Sequence, residues 1–202
     1  KDMKESVAIL TEGIRRKKKV RIIGDYDIDG VCAAAILYKG LRRVGIHTDT
    51  YIPNRVTDGY GLNPHLIEQA GEDGIELLIT CDNGIAAAQE VRQAKELGMT
   101  VIVTDHHNVP YEEKEGARIP ILPPADAVIN PKQEACTYPF TELCGAAVAY
   151  KLISALYETC GVPEEELEEL LVLAAIATVG DVMDLQGENR VLVKEGLKRL
   201  PH

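Results

Sequence analysis

The stretch Gly24-Asp25-Tyr26-Asp27-Ile28-Asp29-Gly30 decides the fold. The apolar run Val20–Ile23 leads into it, and a helical pattern starting near Val31 leads away. Asp and Gly are poor strand residues, so the strand stops here and the stretch reads as a loop. Three carboxylates on alternate residues at the mouth of a buried strand repel one another and raise one another's pKa unless a cation neutralises them. Oxygen-only ligands suit hard cations: magnesium, manganese or calcium. A solvated Asp-rich turn is the plain alternative. A calcium-binding EF-hand loop does not fit, because Ile36 stands where its twelfth, acidic position would fall and no helix precedes the loop.

Outward from this stretch, short apolar or β-branched runs alternate with helical ones. Val20–Ile23, 48–52, 77–80, 101–103 and Ala127–Ile129 read as strands. Residues 31–44, 64–70 (capped by Asn63) and 85–97 (closed by Gly98) read as helices, after an opening amphipathic helix carrying Met3, Val7, Leu10 and Ile14. This alternation implies an α/β fold, a five-stranded parallel sheet with helices on both faces. Residues 108–124, with four prolines, read as a long surface loop. Past Asn130 the strands end and a C-terminal helical extension follows. Thr141 caps a helix to about Thr159, Pro163 opens an acidic helix that is apolar and buried over 170–177, and 188–200 is a last amphipathic helix with Val191, Leu192, Leu197 and Leu200 on its apolar side.

The expected organisation is one catalytic domain over 1–202. Residues 1–132 form its sheet part, and 133–202 a helical part ending in a linker helix. The chain opens on Lys1 and reads as a piece of a longer protein. Its net charge of -10 argues against non-specific nucleic-acid binding by the whole surface. The acidic runs 112–115 and 164–169 read as solvated faces, and the basic run after the first helix suits that helix's dipole. No apolar run approaches the ~18–20 residues of a membrane span, and no signal peptide opens the chain. Five cysteines form no Cys-x-x-Cys pair, which fits reduced thiols in a cytoplasmic protein.

In an open α/β sheet, ligands bind outside the carboxyl ends of the strands. The first exit carries Asp25, Asp27 and Asp29; the second Asn54, Arg55 and then Tyr60; the third Asp82-Asn83-Gly84; the fourth Asp105-His106-His107; the fifth Asn130-Pro131-Lys132. Each alone has a bland reading, Asp82 as a helix cap or the histidines as loop residues, but together they converge on one edge. A further candidate is Asp181, at the end of the apolar helix through 174–177. Burying it there costs several kcal/mol unless it is paired or bound to metal.

Asp27-x-Asp29-Gly30, Asp82, Asp105-His106-His107 and Gly180-Asp181 resemble, in order and context, the four motifs of the DHH phosphoesterase superfamily. The nearer likeness is to the RecJ branch, the single-strand-specific exonucleases. It rests on 24–30, on Ile52-Pro53-Asn54-Arg55 with Gly59-Tyr60-Gly61, on Asn130-Pro131-Lys132, and on 143–152. Other branches have a histidine where this chain has Ile23, which favours RecJ over the inorganic pyrophosphatases. The resemblance implies two divalent cations, Mn2+ or Mg2+. It implies Asp25, Asp27, Asp29, Asp82, His106 and Asp181 as ligands, with Asp82 bridging. Asp105 would orient the ligand histidine, and His107 would contact the scissile phosphate. The implied activity is 5′-to-3′ hydrolysis of single-stranded DNA in repair and recombination, with a single-strand-binding protein or helicase as candidate partners. A second domain, which in relatives closes over the metal edge, is expected beyond this chain.

Two cations about 3.5–4 Å apart suit phosphodiester hydrolysis independently of any family. Arg55, Asn130 and Lys132 are candidate phosphate or nucleic-acid contacts, and Tyr60 can stack on a base or serve as a core tyrosine. Three rivals use the same edge. One is a dehalogenase-like phosphatase with Asp27 as nucleophile; a second is a non-enzymatic phospho-acceptor receiver module. The third is a phosphodiesterase acting on nanoRNA or cyclic dinucleotides. The first two leave the paired histidines unexplained.

Overall fold

The computed structural model describes residues 1–54, 61–114 and 116–200. Among them are α1 (Met3–Arg16), β1 (Val20–Ile23), α2 (Ile28–Arg43), β2 (Thr48–Tyr51), α3 (Pro64–Glu72), β3 (Leu77–Cys81) and α4 (Ala88–Glu96). There follow β4 (Thr100–Thr104), β5 (Tyr111–Lys114), β6 (Ala117–Pro120), β7 (Ala127–Ile129), α5 (Gly145–Cys160), α6 (Glu168–Gly180) and α7 (Gly187–Leu197). Five strands make one parallel sheet in the order β2-β1-β3-β4-β7. The expected architecture is thus present, helical extension included.

Apart from the edge strand β2, the sheet is buried on both sides, and its alternation sorts the core. Val20, Ile22, Leu77, Ile79, Ile102 and Ile129 pack with the cluster under α1, α2, α5 and α6. Ile23, Leu78, Val101, Val103 and Val128 face the other way, onto α3 and α4. A period of two with both faces apolar is what a covered parallel strand requires. Strand order reverses at β1, whose neighbours are β2 on one side and β3 on the other. The crevice at such a reversal is where open α/β sheets bind ligands. Here it lies between the exits that carry Asp25 to Asp29 and Asp82.

Five expectations need correction. Helix α2 begins at Ile28, so Asp29 lies in its first turn and not in a loop. Residues 108–124 contain the antiparallel pair β5–β6, exposed throughout; with solvent on both faces, no apolar alternation marks it. Helix α5 starts at Gly145, four residues after Thr141, whose hydroxyl bonds the Glu142 side chain instead of capping. In α6 only Leu170, Ala174, Ala175 and Ala177 of the apolar stretch are buried, while Leu171, Leu173 and Ile176 are partly so. Helix α7 buries Asn189, Leu192, Val193 and Gly196, leaving Val191 and Leu197 exposed. The glutamates of 164–169 are exposed around a buried Leu167, and three are paired: Glu166 with Arg43, Glu169 with Lys39, Glu168 with Arg199. No helix is long and apolar enough to cross a membrane among the described residues.

Candidate metal centre

Directly after β1, Asp25 is buried, and Asp27 then caps α2, its Oδ1 accepting from Gly30 N at 2.9 Å. Gly30 is required by close approach: a Cβ there would stand 2.5 Å from the Asp25 carbonyl oxygen. One turn into α2, Asp29 is fully buried. Its Oδ2 accepts from Gly145 N at 2.6 Å and its Oδ1 from Ala146 N at 2.7 Å. Asp29 therefore does for α5 what Thr141 does not: it satisfies the first N–H groups and sets a negative charge at the positive end of the helix. This second role was hidden in sequence, because its partners lie more than a hundred residues away.

Asp82 leaves β3 with φ 60°, a left-handed conformation uncommon outside glycine and characteristic of strained functional positions. Its N–H is tied to Thr104 O at 3.0 Å. The Asn83 side chain bonds the carbonyls of Ile23 and Cys81, joining the β1 and β3 exits. Asp82 does not cap α4, which begins six residues later. Against it lies Gly145, where a Cβ would be 2.7 Å from Asp82 Cβ and 2.9 Å from Oδ1. Sequence reasoning gave Gly145 and Ala146 no role; two small residues opening an apolar helix were the available signal.

From β4, His106 is buried and points Nε2 into the carboxylates: 3.0 Å from Asp82 Oδ1, 3.5 Å from Asp29 Oδ2 and 3.9 Å from Asp181 Oδ2. The Asp105 carboxylate accepts from His106 N (2.7 Å), His107 N (3.1 Å), Ile85 N (2.9 Å) and, at 2.8 Å, bonds His107 Nδ1. It thus fixes the His107 ring and both backbone amides, but not the His106 ring it was expected to orient. Asp181 reaches the cluster from the C-cap of α6, where Val182 takes φ 56° and Met183 N bonds Thr178 O at 3.1 Å. It is partly exposed, not buried as expected.

Three groups have ligand atoms all within 4.8 Å of one another: Asp25, Asp27 and Asp82; Asp29, His106 and Asp181; Asp82, His106 and His107. Burial, then the charges of Asp29 and Asp27, push the Asp82 carboxyl up to about 10. Asp25 is raised mainly by burial, and Asp181 by burial and then by Asp29. In Asp105 burial also pushes upward, but the hydrogen bonds from His107 and Ile85 win and hold it below the ordinary range. The same bond, accepted by the Asp105 carboxylate, in turn raises His107. Asp25 Oδ1, Asp82 Oδ1 and His106 Nδ1 are buried without hydrogen-bond partners among the described residues; the His106–Asp82 contact is close but off hydrogen-bond geometry. Buried polar atoms are normally satisfied, so oxygens orphaned inside a like-charged cluster fit a cation site.

At the last exit, Asn130 is fully buried with both polar atoms engaged: Nδ2 donates to His107 O at 2.9 Å and Oδ1 accepts from Lys132 N at 2.8 Å. It is a latch between two exits and not an open phosphate contact. Arg55 and Tyr60 lie outside the described residues.

The model of the DHH family, N-terminal domain, matches residues 19–178. Among curated proteins, the single-stranded-DNA-specific exonuclease RecJ of Bacillus subtilis (strain 168) is 42% identical over 200 residues, covering 99% of this chain and 24% of that protein. The RecJ of Escherichia coli (strain K12) is 36% identical, covering 98% of this chain and 34% of its own length. A crystal structure of exonuclease RecJ bound to manganese superposes with a TM-score of 0.86 at 40% identity, over all of this chain and 48% of that one. The chain spans about a quarter to a third of these two curated relatives. The family match takes in the whole parallel sheet and every carboxylate and histidine of the cluster except Asp181, and on that ground the chain belongs to the DHH family.

Proposed function

We propose that this chain is the metal-bearing part, sheet residues 1–132 with helical residues 133–202, of a hydrolase that degrades single-stranded DNA from its 5′ end with two divalent cations, manganese or magnesium. One observation carries the reading. Asp82 belongs at once to the group with Asp25 and Asp27 and to the group with His106 and His107, as a carboxylate placed between two ions would. Asp25, Asp27, Asp29, Asp82, His106 and Asp181 would hold the pair. Bound there, two cations supply an activated water and neutralise charge on the phosphate.

The remaining residues bind and orient. Asp105 holds His107 by Nδ1 and keeps the imidazole protonated to higher pH, so its other nitrogen donates to a phosphate oxygen. Asn130 fixes the spacing between His107 and Lys132, and Lys132 and Arg55 supply positive charge for the DNA backbone. Tyr60 stacks on a base. The polarity, the role in cytoplasmic repair and recombination, and partnership with a single-strand-binding protein or helicase rest on similarity to proteins described as single-stranded-DNA-specific exonucleases.

The test is manganese-dependent digestion of an end-labelled single strand, a duplex and a dinucleotide. Release of mononucleotides from the 5′ end of the single strand, weakened in Arg55→Ala, supports the reading. Equal digestion of the duplex contradicts it. Strict preference for the dinucleotide moves the chain to the nanoRNA or cyclic-dinucleotide reading.

A further inference from the structure

Beyond His107 the chain folds back as the β5–β6 hairpin, although a two-stranded hairpin has little stability of its own. Tyr111 pairs with Pro120 and Glu113 with Arg118, so these four share one face; Glu112, Lys114 and Ile119 lie on the other. Between the first face and the β7 exit is a cavity of about 340 Å³, lined by Asn108, Tyr111, Arg118, Lys132 and Glu134 among others. The Arg118 guanidinium lies 4.4 Å from the Tyr111 ring centroid. Tyr111 is 49% exposed, in a chain with one Phe and no Trp. Neither the Arg118 guanidinium nor the Lys132 ammonium has an ion-pair partner among the described residues.

The cavity is tied to the metal centre. Asn130 bonds His107 O with one side-chain atom and Lys132 N with the other, and Asn108 follows His107 in the chain. A planar cation stacked on an aromatic ring, with a second cation lining the same cavity, is chemistry suited to a base and its phosphate. It stands out on a chain of net charge -10.

We propose that this cavity is a second nucleotide site for single-stranded nucleic acid. The Tyr111–Arg118 pair stacks a base flanking the nucleotide at the metal centre, and Arg118 and Lys132 hold its phosphate. The inference rests on the single-strand reading above and adds to it Tyr111 and Arg118, which that reading does not use.

The experiment is fluorescence anisotropy with a phosphorothioate oligothymidylate of about 12 nucleotides, a length within the usual site size, with manganese present. Arg118→Ala should weaken binding about tenfold and lower the slope of log affinity against log salt by about 0.7, the value for one phosphate contact on a single strand. Tyr111→Ala should weaken binding about tenfold. Arg118→Lys should keep the salt slope yet still bind more weakly, since charge survives and stacking does not. Lys114→Ala removes the same charge from the opposite face of the same hairpin and should leave affinity within about twofold. Equal losses in Lys114→Ala and Arg118→Ala, or wild-type affinity in both Arg118→Ala and Tyr111→Ala, overturn the proposal. Absence of any binding by the wild-type chain instead overturns the single-strand reading, and this site with it.

Discussion

Asp29 joins the cluster to the fold, and replacing it separates two of its tasks. In the metal-free protein, Asp29→Ala deletes both acceptors of the Gly145 and Ala146 N–H groups and leaves two buried donors at the head of α5. A charge-assisted hydrogen bond contributes about 1.5–3 kcal/mol, and orphaning a buried donor costs a comparable amount. Asp82 keeps its proton in the metal-free protein at neutral pH, so losing the Asp29 charge offsets little of this. The net expected loss is about 3 kcal/mol, a fall of roughly 6–12 °C in melting temperature for a chain of this size. Asp29→Asn keeps one acceptor oxygen and should lose about half as much. Urea unfolding in chelator, followed by circular dichroism, gives the first number; the same curves with manganese give the second. Wild type should gain about 2.7 kcal/mol at a hundredfold excess over its dissociation constant, and both variants almost nothing at the same manganese concentration. A metal-free Asp29→Ala midpoint indistinguishable from wild type would refute the capping role.

Two further outcomes follow from the same cluster. Asp82 is raised from its ordinary 3.8 to about 10, so between those values the folded metal-free chain keeps a proton that the unfolded chain has lost. Stability without metal should therefore fall as pH rises through that window, by at most about 1.4 kcal/mol per unit, and manganese should flatten the fall; stability rising with pH in chelator contradicts the assignment. Gly145→Ala places a methyl 2.7 Å from Asp82 Cβ and should weaken manganese affinity at least tenfold in calorimetric titration, whereas unchanged affinity would mean Asp82 is not held there.

The sheet, its order of exits and the carboxylate cluster were legible because each depends on local pattern. Strand runs such as Leu77–Cys81 are short, apolar and β-branched between helical stretches, and the exits follow them directly. The rest depends on contacts distant in sequence. Asp29 replaces Thr141 as the cap of α5 because the chain brings α2 across its head. Asp105 serves His107 because ring direction is set by packing, which spacing does not encode. The hairpin escaped because Tyr111-Glu112-Glu113-Lys114 has no core face to imprint a period. Val191 and Leu197 look like a buried stripe, yet α7 turns Asn189 inward to bond the carbonyls of Glu142 and Asp184.

The central claim is that Asp82 bridges two cations. Anomalous diffraction from crystals soaked in manganese tests it most directly. The account predicts two peaks, both in contact with Asp82, one also beside Asp25 and Asp27 and the other beside Asp29, His106 and Asp181, and both lost in Asp82→Ala. Manganese found only at scattered surface carboxylates, or a single peak that survives Asp82→Ala, would contradict it.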